Sequence, residues 1–170
     1  LNIIDDWIQW TPIEGAFQPV NQRKVRNLGF ELKVEESILK QNDQEIKLVM
    51  RYAFTDSRIA KQYVNDTNVG KRTIFVPAHK LNGQITWKKS TLLVFVRPTY
   101  YSKRFDTVDN SSFVSGFLIA DIGVQKSFKL NKSEINLSLT AENAFNNDYE
   151  NIRFFPMPLR LFALGFNVKL

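Results

Sequence analysis

The sequence is informative first for what it lacks. Its 170 residues include no Cys and a single His, His79. Without thiolates there can be no disulfide and no zinc or iron–sulfur site built on Cys, and one His excludes any site with two His ligands. The sequence also has no glycine-rich phosphate loop, and the acidic pair Asp5-Asp6 is expected to be solvated, so we expect no metal site and no cofactor.

Long apolar runs are also missing. The longest, Leu92 to Val96, is far shorter than the roughly 20 residues of a spanning helix. The chain opens with Leu1, and no basic n-region or apolar h-region follows, so we expect no signal peptide and a chain that is either processed or part of something longer. Disorder is excluded, because 13% aromatic residues can bury ample apolar surface.

Concentrated charge of one sign is absent too. Lys and Arg total 23 against 17 Asp and Glu, a net charge of +6. These basic residues are dispersed along the chain, whereas a nucleic-acid groove concentrates them. We therefore expect no nucleic-acid partner.

What the sequence does have is alternation with a period of two. Residues 28–35 place Leu28, Phe30, Leu32 and Val34 on one face and Gly29, Glu31, Lys33 and Glu35 on the other. In a strand these faces are opposite sides of a sheet. The pattern recurs over 46–55, 135–142 and 162–170, and segments 74–87, 92–101 and 113–127 are also strand-like. Segment 2–10 is counted as a further strand, although its phase is ambiguous. We predict an all-β chain of about eight antiparallel strands.

The predicted connections alternate in length. Short turns are expected at 39–43, 88–90 and 130–133, and long loops at 11–24, 56–73, 102–112 and 146–158. This asymmetry is typical of an up-and-down transmembrane β-barrel with long extracellular loops. A soluble β-sandwich or lipocalin-like barrel would also alternate. Long apolar faces and aromatic residues near strand ends favour the membrane.

Three stretches, in this order, resemble the TonB-dependent outer-membrane receptor family. Residues 21–31, ending in Asn27-Leu28-Gly29-Phe30-Glu31, resemble its Asn…Gly-x-Glu strand start, and Pro77-Ala78-His79 resembles its Pro-x-His element. Residues 141–150 followed by Pro156-Met157-Pro158-Leu159-Arg160 are similar to its C-terminal end. The last element is most similar to the vitamin B12 and siderophore receptor branch, especially that of Bacteroidetes.

The resemblance implies a definite architecture and role. Such transporters have about 22 strands around a plug. Residues 1–170 would be the C-terminal part of the barrel, supplying its last eight strands, with the plug domain and earlier strands absent. The implied location is the outer membrane of a Gram-negative bacterium. The implied function is uptake of a scarce chelate, such as a ferric siderophore or cobalamin, with TonB, the plug, membrane lipid and lipopolysaccharide as partners.

Two residues depart from the family pattern. Leu159 stands where Gly usually precedes Arg160, which casts doubt on a tight loop, because Gly tolerates positive φ and Leu does not. The chain ends at Leu170 rather than Phe or Trp, although the spacing Phe166, Val168, Leu170 is kept.

The candidate site residues form two groups. Aromatic residues expected in loops, where a flat apolar ligand could bind, are Phe17, Tyr63, Phe154 and Phe155. Polar residues expected to face the lumen, where they could pair with the plug or with Glu31 and Glu35, are Lys33, Lys47, Arg51 and Lys169. Asp106 and Asp109 are expected to be solvated loop carboxylates, and His79 to be structural.

No catalytic constellation is found, so we expect no enzyme. Two other interpretations stay open: a complete small eight-stranded barrel with a structural or adhesion role, and a soluble β-sandwich binding module. In the transporter interpretation the first strand, 2–10, and the last, 161–170, would be edges without neighbours.

Overall fold

Alternating residues build one large antiparallel sheet. The computed structural model describes residues 1–13, 15–61, 66–131 and 133–169. Its eight main strands are β1 (Asn2–Ile13), β2 (Ala16–Gln41), β3 (Gln44–Lys61), β4 (His79–Lys89), β5 (Leu92–Tyr101), β8 (Phe117–Leu130), β9 (Ser133–Glu142) and β12 (Leu161–Lys169). They pair in sequence order, β1-β2-β3-β4-β5-β8-β9-β12. The predicted all-β fold of eight strands is confirmed.

Four short strands lie within the loops. They form two small hairpins, β6 (Arg104–Phe105) with β7 (Phe113–Val114), and β10 (Glu150–Ile152) with β11 (Phe155–Pro156). The one helical segment among the described residues is a 3₁₀ turn at Asp66–Asn68. The described residues include no helix that could span a bilayer.

The short connections are built from residues that accept left-handed backbone conformations. Asn42 (φ 48°) and Asp43 (φ 65°) turn β2 into β3, and Ser90 (φ 51°) turns β4 into β5. Two successive residues with positive φ match the twist of a two-residue hairpin. These turns share one end of the sheet with the β8–β9 turn, which includes Asn131 (φ 55°).

Long connections gather at the other end, with differences from the predicted bounds. The prediction of a loop at 11–24 was wrong: β1 and β2 stay paired up to Ile13 opposite Ala16. Likewise β3 continues to Lys61, and β4 begins only at His79. The 26 residues of β2 extend about 85 Å, far beyond the roughly 10 residues that cross a bilayer. In this outer part of β1 and β2 apolar and polar residues do not alternate, although Thr11, Gln22 and Val25 are buried.

The two faces of the sheet differ in polarity. Each face keeps its polarity from strand to strand, because residues paired across neighbouring strands lie on the same face. One face carries exposed apolar residues, including Phe30, Leu32, Ile85, Leu118, Leu139, Phe162, Leu164 and Phe166. Leu164 is 86% exposed and lies opposite Leu139. A soluble sandwich would cover such a face with a second layer, and no second layer packs on it among the described residues.

The sheet has two open edges in the described part of the chain. β1 pairs only with β2, and β12 only with β9, so the eight strands do not close on themselves. The expected edge strands are therefore confirmed.

Leu159, which stands where the family usually has Gly, does not need the conformational freedom of Gly, because its φ is not positive. In the loop around it, Asn143, Asn146 and Phe154 have positive φ instead.

Candidate substrate site at the loop end of the sheet

Aromatic side chains from three separate segments line a cavity of about 370 Å³ at the loop end. Phe17 comes from β2, Phe75 from the β3–β4 loop, and Phe154 with Phe155 from the β10–β11 hairpin. The rings of Phe17 and Phe75 lie 6.3 Å apart, within the range of aromatic pairing. Three of the four predicted ligand-binding aromatics are thus brought together. Phe17 lies in a strand rather than a loop, and Tyr63 lies outside the described residues.

Two of these aromatics adopt a costly backbone conformation. Phe75 has φ 59° and Phe154 has φ 66°. Positive φ is uncommon for bulky residues and costs about 1–3 kcal/mol, so it persists only where the surroundings enforce it. Phe154 is 82% exposed, so its own burial does not supply that compensation. Such strain is a reason to look for function at these positions.

The charged members of the cavity wall are Arg153 and Asp106. The Arg153 guanidinium contacts the Asp106 carboxylate and the Ser112 hydroxyl, and donates to the Phe113 carbonyl at 2.8 Å. Asp106 is only 5% exposed, and its Oδ1 has no hydrogen-bond partner among the described residues. The expectation that Asp106 is solvated was therefore wrong: it is a buried carboxylate paired with Arg153.

A second arginine joins the same two hairpins. Arg153 belongs to hairpin β10–β11 and binds hairpin β6–β7, whereas Arg104 belongs to β6–β7 and binds β10–β11. Arg104, 3% exposed, donates from Nε to the Asn151 carbonyl at 3.0 Å and from Nη2 to the Glu150 carbonyl. Its guanidinium carbon also lies 5.5 Å from the centre of the Phe117 ring. Burial lowers the pKa of Arg104 below its usual value, but a guanidinium stays charged in proteins. Arg104 and Arg153 thus form a reciprocal clamp between hairpins β6–β7 and β10–β11.

The loop between β3 and β4 is fixed against the same cluster. The Phe75 amide donates to the Phe105 carbonyl at 2.8 Å, and Gln9 Nε2 donates to the Ile74 carbonyl at 2.9 Å. Asn110 donates from its side chain to the Arg72 carbonyl (3.0 Å) and accepts from the Arg72 amide (2.8 Å). The β3–β4 loop and the hairpins β6–β7 and β10–β11 therefore form one hydrogen-bonded unit, which we call the cap.

Asp109 organises its own turn within this cap. It accepts hydrogen bonds from the Ser111 amide at 3.1 Å and the Ser111 hydroxyl at 2.8 Å. These bonds favour the ionised form and hold the pKa of Asp109 below its usual value. Its environment is exposed, as expected.

The motif residues of the C-terminal stretch have structural roles. Asn143, 4% exposed, donates from its side chain to the Asn147 carbonyl (2.8 Å) and accepts from the Asn147 amide (3.1 Å). Arg160 donates from its amide to Asn146 Oδ1 at 3.0 Å. These bonds shape the start and end of the loop that carries Arg153 and Phe154.

His79 is also built into the sheet. Its Nδ1 lies 2.8 Å from the Tyr52 hydroxyl, and its amide donates to the Ser102 hydroxyl at 3.0 Å. No group of three or more potential metal ligands occurs among the described residues.

The predicted polar residues lie on the face opposite the apolar band. Lys33 Nζ is 2.8 Å and Lys47 Nζ 2.6 Å from the carboxylate of Glu35. Arg51 pairs in register with Lys33, and Lys169 with Glu134. Lys33, Lys47 and Lys169 thus have carboxylate neighbours, whereas Arg51 lies opposite another basic residue.

Sequence reasoning missed Phe75, Arg104, Arg153 and the pairing of Asp106. Arg104 and Arg153 contact partners 40 to 47 residues away, so no local pattern indicated them. The only signal was that Arg153 lies in the loop expected to carry Phe154 and Phe155.

Together, these features define the wall of a transmembrane β-barrel: an up-and-down antiparallel sheet, a lipid-compatible apolar face, a polar face opposite it, and long loops at one end. Residues 2–146 match the model of the family described as TonB dependent receptor-like, beta-barrel, and the chain belongs to that family. Barrels of this family lie in the outer membrane of Gram-negative bacteria, which confirms the predicted location.

Solved structures share the fold at low sequence identity. The ferric preacinetobactin receptor BauA of Acinetobacter baumannii superposes with a TM-score of 0.75 at 18% identity, over 93% of this chain and 24% of BauA. The siderophore receptor PiuA of the same organism gives 0.69 at 20%, over 84% and 22%. The ferric-catecholate import receptor Fiu of E. coli K12 gives 0.66 at 18%, over 95% and 23%.

The chain spans about a quarter of the length of these receptors. Among curated proteins, none matches the sequence significantly.

Proposed function

We propose that this chain forms the C-terminal part of the barrel of a TonB-dependent outer-membrane transporter. Residues 1–170 would supply the last eight strands and their loops, and the remaining strands and the plug would come from preceding sequence. Substrate would bind at the loop end, and energy delivered through TonB would rearrange the plug so that substrate passes through the lumen. Family membership and the open sheet edges support this architecture.

The single observation that carries the substrate site is the cavity at the loop end. It places Phe17, Phe75, Phe154 and Phe155 around a space of about 370 Å³, beside the guanidinium of Arg153. Exposed rings offer flat apolar surface to a ligand that itself carries apolar rings. The Arg153 guanidinium is already paired with Asp106, so this pair adds no net charge to the cavity wall.

We infer that the substrate is a ferric siderophore. The solved structures similar to this chain include receptors named for ferric preacinetobactin and ferric catecholate, although their identity to this chain is below 25% and supports the fold alone. Cobalamin, to which the Pro156–Arg160 element points by resemblance, is the alternative substrate that the experiment must separate.

The polar face would meet the plug. Lys33, Lys47, Arg51 and Lys169 would face the lumen and bind acidic or polar groups there, with Glu35 already neutralising part of the charge of Lys33 and Lys47. This assignment is supported by their position opposite the apolar band.

Uptake by cells provides the test. Cells lacking other receptors would express the natural polypeptide that contains this chain and receive ⁵⁵Fe-siderophores or ⁵⁷Co-cobalamin in separate assays. We expect uptake of at least one ferric siderophore, and a drop of about tenfold in the Phe17→Ala/Phe154→Ala double variant, because each lost aromatic contact removes about 0.5–1.5 kcal/mol.

Phe128→Ala is the matched control, because it removes an exposed ring near the short turns at the opposite end of the sheet. Cobalamin uptake without siderophore uptake would overturn the siderophore assignment. Absence of energised uptake of either class would overturn the transporter role.

A further inference from the structure

Three arginines stand side by side on the outward face of the sheet, near its loop end. Arg26 on β2 is opposite Arg58 on β3, and Arg58 forms an antiparallel bridge with Arg72. Adjacent strands are about 4.8 Å apart, so the three Cα atoms span roughly 10 Å. We call Arg26, Arg58 and Arg72 the arginine row.

Strand alternation fixes the face on which the row lies. Arg26 is two residues from Leu28 and four from Phe30, both of which are exposed on the apolar face. Arg58 likewise shares its side of β3 with Phe54, the register partner of Phe30. The row therefore continues the apolar band by about 7 Å towards the loops. This is the level at which hydrocarbon gives way to lipid headgroups.

The charge of the row is only partly neutralised. Asp56 is the carboxylate that contacts it, at 2.9 Å from Arg58 Nε and 3.0 Å from Arg72 Nη2. Arg26 forms no ion pair among the described residues. Three guanidiniums against one carboxylate leave about two positive charges, and like charges directly opposite each other destabilise a sheet.

Two arginines of the row, Arg58 and Arg72, are held in place by hydrogen bonds. Arg58 binds both oxygens of Asp56 and donates from Nη1 to the Gly70 carbonyl at 2.9 Å. The Arg72 backbone is fixed by the side chain of Asn110. Held this way, Arg58 and Arg72 cannot relieve the repulsion by turning away, so an anion between the side chains would stabilise the arrangement.

We propose that the arginine row binds the phosphate groups of lipid headgroups in the outer leaflet. Guanidinium forks match phosphate oxygens in bidentate geometry and form charge-assisted hydrogen bonds. A soluble anionic substrate is disfavoured, because the row lies on the lipid-facing side and the aromatic cavity is lined by other residues. This inference does not rest on the proposed transport function.

Binding of defined lipids tests the proposal. The natural polypeptide that contains this chain would be purified in neutral detergent and titrated with phosphorylated lipid A, and separately with chemically dephosphorylated lipid A, using native mass spectrometry. We expect phosphorylated lipid A to bind roughly tenfold more tightly, as one lost charge-assisted hydrogen bond predicts, and the difference to shrink with salt.

Arg26→Gln is the informative variant, because it leaves the contacts of Asp56 intact. It should lose most of the preference for phosphorylated lipid A, and Arg26→Lys should recover part of it. Lys88→Gln, which removes an exposed charge at the opposite end of the sheet, is the control and should behave like the native protein. Heat-modifiable migration on gels would verify folding of each variant.

Two results would overturn the proposal. One is equal affinity of the native protein for both forms of lipid A, which needs no variant. The other is an unchanged preference in folded Arg26→Gln.

Discussion

At the scale of single residues, the motif glycine Gly29 has a steric explanation. A Cβ at this position would overlap the backbone carbonyl of Phe54 on the neighbouring strand and lie 3.5 Å from Thr55 Cα. Backbone cannot rotate away as a side chain can, so Gly29→Ala must push β2 and β3 apart. We expect a loss of about 1–3 kcal/mol in unfolding free energy, measured by urea titration in detergent.

Gly165→Ala is the matched comparison, because it too places a Cβ on a central part of a strand. There the obstructing atom is the Ser138 hydroxyl, which can rotate. Its cost should stay below about 1 kcal/mol. Equal losses in the two variants would rule out backbone overlap as the reason for glycine at position 29.

Phe154 is the second residue whose conformation makes a prediction. Because its φ is 66° and its ring is largely exposed, Phe154→Gly relieves backbone strain and gives up little packing. We expect unfolding free energy to stay the same or rise by up to about 1 kcal/mol, while ferric siderophore uptake falls.

Phe154→Leu separates the two effects, since it removes the ring and keeps the strain. It should lower uptake without any gain in stability. If Phe154→Gly leaves uptake intact, the ring has no part in binding; if it destabilises the protein, strain is not stored there.

At the scale of elements, the reciprocal clamp makes hairpins β6–β7 and β10–β11 behave as one unit. Arg153→Ala removes one half of the clamp and leaves the Asp106 carboxylate buried without its partner. Because an unsatisfied buried polar group costs about 1–3 kcal/mol, we expect amide hydrogen exchange to accelerate in both hairpins. The main strands should keep their protection.

Lys103→Ala controls for loss of a cation from the same cap. Its ammonium is exposed and lies 5.0 Å from the Phe113 ring centre, a contact of small energy. Exchange should change little in this variant. Faster exchange confined to 150–156 after Arg153→Ala would show that the hairpins move separately.

Sequence could predict the strands but not the cap. Where one face of a strand meets lipid, apolar and polar residues must alternate. The alternation in residues 28–35 and 162–169 therefore indicated both that they form strands and on which face each side chain lies. Above the membrane that constraint disappears, so residues 11–13 and 16–24, which lie in β1 and β2, were mistaken for part of a loop. The clamp of Arg104 and Arg153 joins residues distant in sequence, and no periodic pattern records such a pair.

At the scale of the whole molecule, the exposed apolar face and the two open edges set the conditions for solubility. β1 and β12 each present unpaired backbone groups on one side, and β12 also exposes Phe162, Leu164 and Phe166. An edge of this kind, long and apolar, is a template for pairing with another chain. In a closed barrel the missing neighbours would be supplied by further strands.

We therefore expect residues 1–170, expressed alone, to form oligomers or aggregates and to depend on detergent. Size-exclusion chromatography with light scattering, with and without detergent, measures this directly. Replacing Leu164 and Phe166 with Lys on β12 should reduce aggregation without detergent, because charge on an edge strand opposes pairing and the apolar band becomes smaller. The same two replacements at Leu137 and Leu139 on the interior strand β9 leave the edge apolar and should help less. A monomeric, detergent-free native chain would contradict the membrane-wall interpretation of the apolar face, since nothing would then be covering it.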